Sequence, residues 1–60
     1  MKARELIDRY NQGFRDFSDT DLSRENLSGL GLTAIELANA NLSEANLSCT
    51  TLNEANLYGA

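Results

Sequence analysis

From Phe17 onward an apolar residue returns at every fifth position. The centres are Phe17, Leu22, Leu27, Leu32, Leu37, Leu42, Leu47, Leu52 and Leu57, nine in succession without a gap. A five-residue period suits neither common element. On a helix, five residues advance about 500°, so successive centres would fall about 140° apart and encircle the rod. On a straight strand an odd step sends successive centres to opposite faces. All the centres reach one core only if the chain bends once per pentad. The pattern therefore predicts a solenoid, in which each repeat buries its apolar side against its neighbours.

The positions around each centre repeat with the same period. Two residues before it stand Ala40, Ala45 and Ala55, with Thr50 nearly as small. A second inward residue beside a bend has to be small, because the leucine already fills the space. Immediately before the centre stand Asp16, Asp21, Asn26, Asn41, Asn46 and Asn56. Asx side chains bond their own backbone in turns and tolerate bent conformations. Immediately after come Ser18, Ser23, Ser28, Thr33, Ser43 and Ser48, short polar groups suited to an outer wall.

Ala40-Asn41-Leu42-Ser43-Glu44, Ala45-Asn46-Leu47-Ser48-Cys49 and Ala55-Asn56-Leu57-Tyr58-Gly59 follow the pattern A-(D/N)-L-x-x. In this the chain resembles the pentapeptide-repeat family, over residues 17–59, about three quarters of its length. The resemblance implies a right-handed quadrilateral β-helix of just over two coils, four pentads to a coil. Residues n and n+20 are then neighbours on adjacent coils. Arg24 is expected beneath Glu44, a surface ion pair worth a few tenths of a kcal/mol. Asn26 is expected beneath Asn46 and Asp21 beneath Asn41, the start of polar ladders. Asp16 beneath Glu36 is a like-charge pair that needs relief.

The early pentads depart from the pattern. Arg15, Thr20, Glu25, Leu30 and Ile35 occupy the small-residue position, and Gly31 and Glu36 break the Asx column. Glu25 is costly against an apolar core without a partner. The first coil is therefore expected to be irregular or relieved by a cap.

Such a cap is legible in the first residues. Ala3, Leu6, Ile7 and Tyr10 lie on one helical face. Glu5 and Arg9 form an i, i+4 pair in the favourable order, and Gly13 is placed for a C-terminal stop. The spacing predicts a short amphipathic helix over Lys2 to Asn11, acting as a lid on the first coil. Leu6, Ile7 and Tyr10 are expected to cover Phe17, and Phe14 to help seal the joint. The organisation read is a capping helix in residues 1–13 and a repeat β-helix in residues 14–60. The repeat stops at Tyr58-Gly59-Ala60 without an atypical cap. That predicts a segment incomplete at its C-terminus; the alternative is a short chain that closes its open coil by self-association.

Charge and chemistry narrow the function classes. Residues 1–24 carry all five basic residues and five acids, whereas residues 25–60 carry Glu25, Glu36, Glu44 and Glu54 and no base, giving the whole net charge of −4. No basic footprint for direct nucleic-acid binding is present; an acidic solenoid invites a basic partner. The charged first residues leave no room for a signal peptide and the helix is small for a membrane anchor. With one cysteine, Cys49, read as an ordinary outward residue, the chain fits a reducing, cytoplasmic compartment. There is no histidine, the serines have no base partner, and the aspartates are periodic for structural reasons. No catalytic, cofactor-binding or metal-ligating residue is assigned, and no cofactor is expected. The sequons at Asn26, Asn41 and Asn46 are by-products of the Asn-Leu-Ser repeat. The expectation is a non-enzymatic repeat scaffold that binds a protein partner. One alternative is a DNA-mimicking regulator of a type II topoisomerase, as the resemblance implies for some family members. The other is a self-associating structural module, a homo-oligomer joined through the open C-terminal coil.

Overall fold

A computed structural model describes residues 1–60. Helix α1 spans Ala3–Asn11, one residue shorter than the spacing predicts. The Arg9 guanidinium meets Glu5 at 2.7 Å along its outer face. Gly13, at φ +105°, turns the chain out of the helix. The Gly13 amide donates to the Tyr10 carbonyl and the Phe14 amide to that of Arg9, each at 3.0 Å. This pair of bonds is a Schellman motif, which satisfies carbonyls the helix end would otherwise leave open. It also corrects the expectation for Phe14. Placed directly after the left-handed glycine, its side chain swings outward and is 54% exposed. The joint is closed by Arg15 instead, whose guanidinium lies 3.7 Å over the Tyr10 ring and donates to the Tyr10 and Phe14 carbonyls.

After Phe14 every pentad has the same backbone plan. The residue before each centre pairs in parallel with the one twenty positions on: Asp16 with Glu36, Asp21 with Asn41, Asn26 with Asn46, Gly31 with Thr51, Glu36 with Asn56. The chain thus returns beside itself every twenty residues. These are single-residue bridges, and no extended strand forms. The reason is the bend. Each centre carbonyl from Leu22 onward, that of Leu27 excepted, accepts the amide three residues later, as Ala45 N–H to Leu42 C=O at 3.0 Å. Only short straight segments remain between such turns.

Three series of bonds join one circuit to the next. The amide of each centre donates upward, as Leu27 to Asn46 at 2.8 Å. So does the amide two residues later, as Gly29 to Ser48 at 2.9 Å. The bridge residue of the later circuit donates back, as Asn46 to Glu25 at 3.0 Å.

The second residue after each centre sits in the left-handed region. Gly29 and Gly59 do so at φ +71°, and Asp19, Arg24, Ala34, Asn39, Glu44, Cys49 and Glu54 at φ between 59° and 64°. A positive φ at the third residue of a four-residue turn defines type II and favours Gly or Asn there. The bond at the bend and the inter-circuit bonds hold the other side chains in this less favoured conformation.

The fully buried core consists of Leu6 from α1 with Phe17, Leu22, Leu27, Leu32, Ile35, Leu37 and Ala40. Leu6 therefore performs the lid role read from its spacing. Tyr10 packs against this core, whereas Ile7 is only half-buried at its edge. Two threonines stand in the small-residue column. Thr20 donates its hydroxyl to the Phe17 carbonyl and Thr50 to that of Leu27, both at 2.7 Å. No buried side-chain nitrogen or oxygen lacks a partner.

Candidate interaction surface

Three features could carry function: the lid joint, the outer walls and the uncovered end of the repeat. The lid joint shows how Glu25 is accommodated. Lys2 precedes the helix without offering a side-chain cap, so the first helical amides need an acceptor from elsewhere. Glu25 supplies it: its Oε1 accepts the Ala3 amide at 2.9 Å, with the Lys2 ammonium 4.0 Å from Oε2. The carboxylate that breaks the repeat is the cap of the helix that covers the repeat. Beside it the N-terminal ammonium donates to the Asp21 carbonyl at 2.7 Å, and across the circuit the Tyr10 hydroxyl reaches the Thr33 carbonyl at 2.7 Å. A shallow hollow lined by Met1, Lys2, Glu5, Asp21, Ser23 and Glu25 lies here. The N-terminal ammonium and the Lys2–Glu25 pair hold the lid here, whereas Glu5 pairs with Arg9 and the Asp21 carboxylate accepts from Ser23.

The walls are built by the twenty-residue register. Arg24 Nε meets Glu44 Oε1 at 3.2 Å, as the sequence predicts, with both side chains largely exposed. The Asx pairs are in register but do not bond to each other. Asp16, Asp21, Asn26, Asn41, Asn46 and Asn56 each accept the amide two residues on, at 3.0 to 3.1 Å. Each side chain thus locks its own corner. The expected ladders are rows of local turns, because an Asx oxygen reaches its own turn amide with less freedom lost. Asp16 is relieved in the same way: the Ser18 amide, then the Ser18 hydroxyl, hold its carboxyl below the usual value. At Asp21 the Ser23 hydroxyl is the larger cause and the Ser23 amide the smaller.

Charge differs from wall to wall. The wall of pentads centred on Phe17, Leu37 and Leu57 presents Asp16, Asp19 and Glu36, with the exposed Arg15 turned to the Tyr10 and Phe14 carbonyls, next to the exposed Tyr58 ring. The wall centred on Leu27 and Leu47 presents only Asn, Ser, Gly and Cys. Cys49 lies on this neutral wall as an exposed free thiol.

Two positions of consequence escaped the sequence reading. Tyr58, 79% exposed, sits one residue past a centre, where most pentads place a serine or threonine. The left-handed corner was signalled by Asp19, Gly29, Asn39 and Gly59, all in one phase of the repeat.

No helix is long and apolar enough to cross a membrane. A family model described as pentapeptide repeats (8 copies) matches residues 26–60, more than half of the chain. The match begins at Asn26 although the bridged geometry begins at Asp16; the two pentads wholly outside it are those in which Arg15 and Thr20 replace the small residue. No curated protein and no solved structure matches the chain.

Proposed function

The chain belongs to the pentapeptide-repeat family, and from that premise we propose that it is a non-enzymatic scaffold whose walls bind another protein. In this reading the circuits are coils of a right-handed quadrilateral β-helix with four pentads each. The twenty-residue bridges and the bend in each pentad support it. The single observation that carries the function is the locking of the outer positions. Asx turns and inter-circuit bonds fix the wall backbone, so the exposed side chains form a preordered display, and a rigid display loses little entropy on binding. The favoured face is the acidic wall of Asp16, Asp19 and Glu36 with Tyr58. Its charge steers a basic surface, and its exposed aromatic ring suits a lysine or arginine at contact. A protein partner in the cytoplasm fits this chemistry; a polyanion does not.

The test is affinity capture with the native chain and with a folded Asp16→Asn/Asp19→Asn/Glu36→Gln variant. The reading requires a basic protein that the native chain retains and the variant loses. Identical capture by both would sink it.

A further inference from the structure

Helix α1 carries two charge pairs at i, i+4 spacing, and only one is closed. Glu5 and Arg9 meet at 2.7 Å, whereas the exposed Arg4 and Asp8 make no ion pair. Their order contributes: an acid before a base is the better arrangement along a helix, and here Arg4 precedes Asp8. Arg4, Ile7, Asp8 and Asn11 follow i, i+3, i+4, i+7 and share one side of α1. Ile7 is half-buried there, at the edge of the core.

This side of α1 borders a notch of about 100 Å³. Ile7, Tyr10 and Asn11 line it from the helix, and Leu30, Gly31 and Leu32 from the repeat. Two departures from the repeat shape it. Leu30 stands in the small-residue column and is half-buried, and Gly31 leaves the Asx column without a side chain. Nothing inside the chain requires glycine at 31. Its φ is not positive, and a Cβ there would meet no atom within 4 Å.

We propose that this flank is the contact between two copies of the chain, joined about a two-fold axis with their α1 helices antiparallel. Along α1 the row runs base, apolar, acid: Arg4, Ile7, Asp8. Turned end for end it runs acid, apolar, base, so the flank is complementary to its own copy. Arg4 of each copy reaches Asp8 of the other. Ile7 packs against Ile7 near the axis and enters the space beside Leu30 that Gly31 leaves open. The lid stays in place throughout, with its Ala3–Glu25 and Tyr10–Thr33 bonds intact. Such an isologous contact closes at two. One flank of a nine-residue helix is smaller than the ~800 Å² per partner of a standard interface, so the dimer forms reversibly. The contact is separate from the acidic wall and does not depend on what that wall binds.

The test is sedimentation equilibrium on the full chain, with circular dichroism as the check of folding. The native chain should pass from monomer to dimer as its concentration rises to about 1 mM. Amide chemical shifts should move with dimerisation in residues 4–11 and 30–32. Gly31→Asn gives this pentad the Asx residue of its neighbours, so it should fold as well as the native chain yet stay monomeric. Arg4→Asp places like charges together and should weaken association about 10-fold or more. Adding Asp8→Arg to it restores the complementary row and should restore the dimer. A native chain that stays monomeric overturns the proposal. So does a native dimer that both Gly31→Asn and Arg4→Asp leave unchanged, or a double variant no better than Arg4→Asp alone.

Discussion

The first and last circuits are written in the same pentads, yet they differ sharply in burial. Leu22, Leu27 and Leu32 are almost fully buried, whereas Leu57, at an equivalent position, is 41% exposed. The residue type is constant; what changes is whether something lies above and below. In a stack of repeats, burial belongs to the pair of neighbouring turns and not to the turn itself. The first circuit has α1 on one side and the second circuit on the other. Leu57 has a neighbouring turn on one side only in this structure, and its exposure follows.

The sharpest way to break this comparison is to make one truncation in both circuits. Leu27→Ala should cost about 2–5 kcal/mol and unfold so short a chain, whereas Leu57→Ala should cost less than about 1 kcal/mol. Urea titrations followed by circular dichroism read both, and equal costs would mean the last circuit is packed as tightly as the first. Next in size is Glu25→Ala. It removes the acceptor for the Ala3 amide and should cost about 1 kcal/mol. Amide exchange should quicken through α1 while the Leu37 and Asn41 amides keep their protection.

A smaller contrast lies at the left-handed corner, where Gly29 and Cys49 are stacked. A Cβ at Gly29 meets nothing within 4 Å, so Gly29→Ala reports the conformational cost alone, about 1 kcal/mol. Cys49→Gly relieves the same strain but loosens the unfolded chain, so thermal melting should move by less than about 0.5 kcal/mol.

Acid separates the circuits by chemistry. Asp16 and Asp21 in the first have lowered carboxyl pKa values; Asn41, Asn46 and Asn56 beyond them do not titrate. A lowered carboxylate gives its full stabilisation above the unfolded value near 3.9 and loses it as pH falls through the lower folded value. Melting temperature should drop in that acid window, and Asp16→Asn/Asp21→Asn should flatten the drop. The smallest effect belongs to Arg24→Ala. The exposed pair with Glu44 is worth at most about 0.5 kcal/mol and should vanish in high salt.

The parts of the fold that depend on period were legible in the sequence. The bend per pentad and the α1 stripe with Leu6 follow from counting residues, and the Arg24–Glu44 neighbourhood from the four pentads per coil that the family resemblance implies. What depends on how separate pieces meet was not. Glu25 read as a defect because its partner, the Ala3 amide, lies on another element. Phe14 read as a seal because the Schellman turn that swings it outward is a matter of backbone angles. The acidic wall is only half legible: twenty-residue stacking places Asp16 below Glu36, but the turns that relieve Asp16 are side-chain geometry.

The twenty-residue register also constrains how such a chain can change length. Loss of one pentad, say residues 31–35, leaves every later centre in phase with the bend, so the interior would still close. The exterior would not survive unchanged. Each later wall would shift by one face, Arg24 would face Cys49 in place of Glu44, and Asp16 would face Asn41. The inside of the molecule counts in fives and the outside in twenties. A lineage could thus gain or lose pentads at little cost to folding while reshuffling its whole surface in a single step.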